Sequence, residues 1–298
     1  MIYPELYEQY RKEFSSRLDA DTLTVEQFDT VFGPRLASME RESIIAPSER
    51  GVIHYSIFDT EEGPVCNIPV FGYFASSEKV LSQLFIRLSE KIVRKETIRF
   101  QVHLYAHDLQ ARNLFSMMQF GYMAETGISK RDLPSWENPA AFSIRIPDKT
   151  EIVARWSEVW GMTNSIIEHL RQAPIFYPGK EFTEEIYKDF LTDEKTRLCI
   201  AFDQNGEMVG MIETNAEPNQ MIRQETKSIN VGEAYVIPCY RGTGLSKALL
   251  TYVLKDAEAR EVKYLWVEHG TANPNARGFW GKYFDSYEYE LDRVIKPL

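Results

Sequence analysis

The stretch VIPCYRGTGLSKALL, residues 236–250, brings together an arginine, two glycines one residue apart and a helix-like apolar run. Backbone N–H groups at a helix start lack intrahelical acceptors and lie at the positive end of the helix dipole, so a glycine turn that leaves them open suits an anion, above all a phosphate. The surrounding side chains narrow the choice of phosphate. A nucleoside triphosphate loop needs G-x-x-x-x-G-K-[ST], whereas Lys247 follows Ser246 here and no glycine stands before it. A dinucleotide fingerprint needs a third glycine, and Lys247 occupies that position. What remains is Arg-Gly-x-Gly-x-Ser at a helix N-terminus, which fits a pyrophosphate. A strand-to-helix turn without a ligand is the other reading of the two glycines.

Such a loop must be held between a strand and a helix. Before it, SINVGEAYVI reads as a strand; after it, Leu245, Ala248, Leu249, Tyr252 and Val253 fall at i, i+3, i+4, i+7, i+8, one face of a helix. Ala141 to Ile146 reads as a strand, and Glu151 to Arg171 as one long helix with Val153, Trp156, Val159, Trp160, Ile166, Ile167 and Leu170 toward the core. RLCIAF and EMVGMIET are apolar runs joined through Asn205-Gly206, which predicts a hairpin with a type I′ turn. VKYLWVEH, a short helix through NARGFWGKYF and a last strand, YEYELDRVI, complete a β-α-β-β-β-α-β-α-β order. The first half repeats this plan faintly: VIHYSIF, VCNIPVFGYFA and TIRFQVHLYA as strands, Lys79 to Val93 as a helix, and AHDLQARNLFSMMQFGY answering TANPNARGFWGKYFDSY. The border is predicted in SKRDLPSWENPAAF, residues 129–142, where two prolines and several polar residues interrupt the apolar patterning.

Val236-Ile237-Pro238-Cys239-Tyr240-Arg241-Gly242-Thr243-Gly244-Leu245-Ser246 resembles the acyl-CoA pyrophosphate loop of the GNAT superfamily of N-acetyltransferases, V-x-P-x-x-R-G-x-G-x-[GA], with Ser246 departing at the last position. Asn273, Ala276, Phe279 and Trp280 resemble that family's N-x-x-A-x-x-F-Y segment. The resemblance implies an α+β (α/β three-layer) class with two tandem GNAT-like domains, each a mixed, mostly antiparallel sheet flanked by helices. Residues 1–137 would be a degenerate copy, with Tyr73-Phe74-Ala75-Ser76-Ser77-Glu78 at the loop position, and residues 138–298 the acetyltransferase domain. It implies acetyl-CoA as cosubstrate, an amine of a small molecule or peptide as acceptor, and a cofactor set of Val236, Ile237, Arg241, Gly242, Thr243, Gly244, Leu245, Ser246 and Asn273. Glu233, eight residues before Arg241, is the expected base, and His269 at a strand end is a second candidate. The family's acidic tyrosine is replaced by Trp280, so Tyr283 or water is the expected acid. Because of that replacement, a non-catalytic acyl-CoA-binding regulatory or interaction protein is the alternative.

Composition sets the outer bounds. The 298 residues are 44 % apolar with 17 Phe, 16 Tyr and 5 Trp, ample for a packed core. A net charge of −10 opposes a nucleic-acid surface. No run approaches the roughly 18 apolar residues of a membrane span, and the start is not that of a secretory signal, which predicts a cytoplasmic protein. The 3 cysteines form no CxxC pair, and His103 and His107 straddle a strand end, so no metal site is predicted.

Overall fold

The structure is a computed structural model that describes residues 4–93, 97–129, 133, 135–139, 141–172, 175 and 182–297. The chain forms two compact units, one running up to Gly127 and completed by Gln220–Arg223 and the segment from Ser286 onward, the other made of Ile128–Asn219 and Gln224–Asp285. Within the predicted border, residues 130–132, 134 and 140 lie outside the described residues.

The first unit contains α1 (Pro4–Leu18), α2 (Val25–Ser38), β1 (Glu40–Ile45), β2 (Arg50–Thr60), β3 (Gly63–Ile68), β4 (Tyr73–Ala75), α3 (Glu78–Val93), β5 (Ile98–Tyr105), α4 (Leu109–Met117) and β6 (Gly121–Ser129). The sequence gives α2 a clear start: the Thr24 hydroxyl accepts from Gln27 N, and the Gln27 side chain accepts from Thr24 N. On α3, Val80, Leu81, Leu84, Phe85 and Leu88 are buried as one face, as their spacing requires. The strand order is β1-β2-β3-β5-β12-β6, with β4 on β2.

The strand β12 (Phe284–Ile295) is the stretch expected to close the second domain, and most of it lies in the first unit. It pairs antiparallel with β5 along the whole strand, from Ile98↔Ile295 to Tyr105↔Glu288. The chemistry of the two strands explains the match. Ile98, Phe100, Val102 and Leu104 alternate into the core, and between them Arg99–Asp292 (2.6 Å), Gln101–Glu290 (2.6 Å) and His103–Glu288 (2.7 Å) form diagonal polar pairs.

The second unit contains β7 (Ser143–Arg145), α5 (Lys149–Ala154), α6 (Trp156–Leu170), α7 (Glu184–Thr192), β8 (Thr196–Phe202), β9 (Met208–Asn215), β10 (Ser228–Val236), α8 (Leu245–Ala259), β11 (Tyr264–Gly270) and α9 (Pro274–Trp280), with strand order β11-β10-β9-β8-β7. Period-two alternation on β8 builds both faces: Cys199 and Ala201 join the cluster around Leu245, Leu249 and Val253 of α8, while Leu198, Ile200 and Phe202 join Val159, Met162, Ile167 and Leu191 of α6 and α7. In both units the same pairing sequence recurs, antiparallel, antiparallel, parallel: β1-β2-β3-β5 and β8-β9-β10-β11.

Three expectations need correction. The long helix breaks at Arg155 (φ −107°, ψ 25°) into α5 and α6, so the apolar phase shifts: Ile152 is buried and Val153 is exposed. The β8–β9 hairpin exists, but only Gly206 has positive φ (+81°), because the Asp203 carboxylate accepts from Asn205 N and Glu207 N and organises a longer loop than the two-residue type I′ turn. Helix α7 was not foreseen.

Leu291 on β12 is fully buried against the core of the first unit. Leu291→Ala is expected to destabilise that unit by about 2–5 kcal/mol. Urea denaturation followed by hydrogen exchange at the β5 amides checks this; unchanged β5 protection would contradict the pairing.

Candidate functional site

Parallel strands β10 and β11 stay paired only from Ser228↔Tyr264 to Asn230↔Trp266, and then part. The cause lies on the other edge of β10. Against β9 the register passes from Val231↔Thr214 to Ala234↔Ile212, so Gly232 and Glu233 together face the single residue Glu213 in a β-bulge. A Cβ at Gly232 would meet the Glu213 carboxyl, so a side chain there would displace the end of Glu213. Two cavities occupy the gap and share Ile166, Leu170, Ala234, Asn273, Ala276 and Trp280 as walls.

The first cavity, about 340 Å³, is bordered by Val236, Arg241, Gly242, Leu245, Ser246 and Asn273 of the predicted cofactor set, together with Tyr235, Tyr240 and His169. Gly242 (φ +80°) and Gly244 (φ +91°) both adopt the left-handed conformation, and nothing lies within 4 Å of where their Cβ atoms would be. Gly244 is the N-cap of α8 and brings no side chain to satisfy its first turn. Arg241 Nε donates to Val236 O (3.0 Å), which ties the loop to the strand, the exposed guanidinium lies 5.6 Å from the Tyr235 ring centre, and the Thr243 hydroxyl donates to Tyr240 O (2.7 Å). An open, glycine-formed turn before a 15-residue helix fits a pyrophosphate. Ile237 packs against the α8 core, and Asn273 caps α9, its side-chain oxygen accepting from Asn275 N and Ala276 N.

The second cavity, about 500 Å³, is bordered by Glu213, Glu233, Glu268, His269 and Tyr187 among largely apolar walls. The Tyr187 hydroxyl donates to Glu233 Oε1. Burial first, and the Glu233 charge second, push the Tyr187 phenol up, so it stays a donor. Glu213 is 2 % exposed, accepts a long bond from Glu233 N (3.3 Å), and has its carboxyl pushed up to about 8 by burial and then by the Glu233 charge. Tyr283 borders neither cavity: it is buried edge-to-face against Trp136 and Phe279. Among the described residues no group of three or more His, Cys, Asp or Glu is placed to hold a metal ion, and no helix is long and apolar enough to cross a membrane.

A family model, the Acetyltransferase (GNAT) family, matches residues 163–285, which include both cavities. Residues 163–285 are a GNAT domain. Two solved structures are similar in fold. One is a GCN5-related N-acetyltransferase from Sphaerobacter thermophilus, with TM-score 0.52 and 14 % identity over 85 % of this chain and 83 % of that one. The other is an acetyltransferase of the GNAT family from Colwellia psychrerythraea, with TM-score 0.50 and 12 % identity over 99 % of this chain and 97 % of that one. Among curated proteins no sequence match was found. The GNAT domain adds two residues that sequence reasoning missed, Tyr187 and Glu213. Both had a signal: Thr183-Glu184-Glu185-Ile186 is a helix start, with Thr183 accepting from Ile186 N, and Glu213 is an acid inside the apolar run MVGMIET.

Glu213 keeps its proton to about pH 8 in the folded GNAT domain but only to the ordinary value of 4.5 when unfolded. Between those values the native state binds more protons, so this group's contribution to stability falls as pH rises from 4.5 toward 8. Glu213→Gln should flatten that decline, leaving the variant more stable than the wild type at pH 8 by about 5 °C in Tm. Melting curves from pH 5 to about pH 8.5 check this; parallel declines in the two proteins would place the proton elsewhere.

Proposed function

We propose that the protein is an N-acyltransferase that moves an acetyl group from acetyl-CoA to an amine. The observation that carries this reading is one strand gap with an open anion cradle at one end and facing carboxyl groups at the other, joined by shared walls. Arg241, Gly242, Gly244, Leu245 and Ser246 would hold the pyrophosphate, Thr243 would brace the turn, and Val236, Ile237 and Asn273 would lie along the pantetheine arm. Bound acetyl-CoA supplies an activated thioester carbonyl. An amine with the pKa of lysine is neutral in only about one molecule per thousand at pH 7, so a base is needed. Glu233 is suited to that work: it borders the second cavity, and the hydrogen bond from Tyr187 fixes its orientation. His269 borders the same cavity, as a contact for the acceptor. With Tyr283 packed in the core and Trp280 lacking an acidic proton, water serves the departing thiolate. The first unit has Tyr73–Glu78 at the matching position, without either glycine, so one acetyl-CoA is expected per chain.

Calorimetry should give one acetyl-CoA site, weakened roughly 10- to 100-fold by Arg241→Ala, as loss of a charged hydrogen bond implies, and more by Gly244→Val, whose left-handed φ a valine resists. Unchanged affinity in both folded variants would remove the pyrophosphate assignment. If Glu233 takes the amine proton, Glu233→Gln should lower the rate of thiol release chiefly below the amine's own pKa, with acetyl-CoA affinity nearly intact. A loss that is equal at every pH would make Glu233 a positioning group only.

A further inference from the structure

The wide end of the gap contains an acid and a hydrocarbon surface that proton removal alone does not require. Glu213 borders the cavity at 2 % exposure, yet its Oε1 has no hydrogen-bond partner among the described residues. A buried carboxyl oxygen left open in this way is costly, and an N–H donor seated against it offsets that cost. Glu233 borders the same cavity, and the bulge sets both side chains on it. The remaining surface is different in kind. Ile186 and Phe190 stand at i and i+4 on α7, are 49 % and 38 % exposed, and border the cavity with Phe182 and Trp280. Tyr187 and Leu191, on the neighbouring face of the same helix, are buried in the core, so α7 presents one apolar face to the protein and a second to the cavity. No lysine or arginine borders this cavity among the described residues.

We propose that this cavity takes a primary amine in its ammonium form on an aromatic or branched aliphatic body, with Glu233 holding the charge, the open Glu213 Oε1 accepting an N–H of the ammonium, and Phe182, Ile186, Phe190 and Trp280 holding the body. The proposal names the acceptor class for the acyl-transfer reading and depends on that reading only for the fate of the bound amine. Among the described residues an anionic acceptor finds no lysine or arginine in these walls. Against Phe182, Ile186, Phe190 and Trp280 the further ammonium or hydroxyl groups of a polyamine or an amino sugar would lose water without gaining a partner. Glu268 is exposed, so water screens its charge.

The full chain is titrated by calorimetry with 2-phenylethylamine, 2-phenylethanol, spermidine and a 2-deoxystreptamine aminoglycoside, and separately with acetyl-CoA. The expected result is that 2-phenylethylamine binds at least about 10-fold more tightly than the other three, and that Glu233→Gln and Phe190→Ala each weaken it by about 10-fold. Phe190 is exposed, so its truncation leaves the core intact. Equal binding of the alcohol, tighter binding of spermidine or the aminoglycoside, or unchanged affinity in both variants would overturn the proposal, even if acetyl-CoA binds. If acetyl-CoA fails to bind while the amine preference and the variant effects hold, the acyl-transfer reading falls and the amine site stands.

Discussion

At Gly232 a hydrogen occupies the place where any other residue would drive a Cβ into the Glu213 carboxyl. Here two residues of β10 face one of β9, and a bulge of this kind bends the strand, as the parting of β10 from β11 requires. Both cavities are consequences of this parting. Had β10 and β11 remained paired beyond Asn230 and Trp266, their backbone groups would satisfy one another and no room would remain for a ligand between them.

The two ends of the gap differ in electrical character for unrelated reasons. At the α8 end the positive character comes from the Arg241 guanidinium and from backbone, since the glycines let the chain turn without side chains that would cover the N–H groups. At the other end the negative character comes from side chains placed by strand register. The cleft therefore carries opposite electrical character at its two ends within one fixed geometry.

The α8 end was legible in the sequence because its function depends on local chain order: Arg241, Gly242 and Gly244 carry their meaning within one turn. The three-layer plan was legible for the same reason, through the alternation on β8 and the helical spacing of α3 and α8. The carboxyl end was only half legible. Glu233 could be placed by its distance from the loop, but its partnership with Glu213 depends on a bulge in a strand pair 20 residues apart in sequence, and its bond from Tyr187 spans 46. Tyr283 shows the opposite limit: a helical offset cannot say that Trp136 and Phe279 already hold the ring. The residence of β12 beside β5 was likewise invisible, since YEYELDRVI has the same alternation whichever strand it joins.

That last pairing also bears on how the protein is made. Residues 98–105 leave the ribosome early, yet the edge they present stays open until residues 286–295 have been synthesised, after the whole of the second unit. Met221 and Ile222 also reach the first unit late, accepting a bond from Tyr10 and bridging Thr22. The first unit is therefore the first to be translated and the last to be completed, and until then β5 is an unpaired strand edge, the kind of surface on which nascent chains aggregate or recruit chaperones.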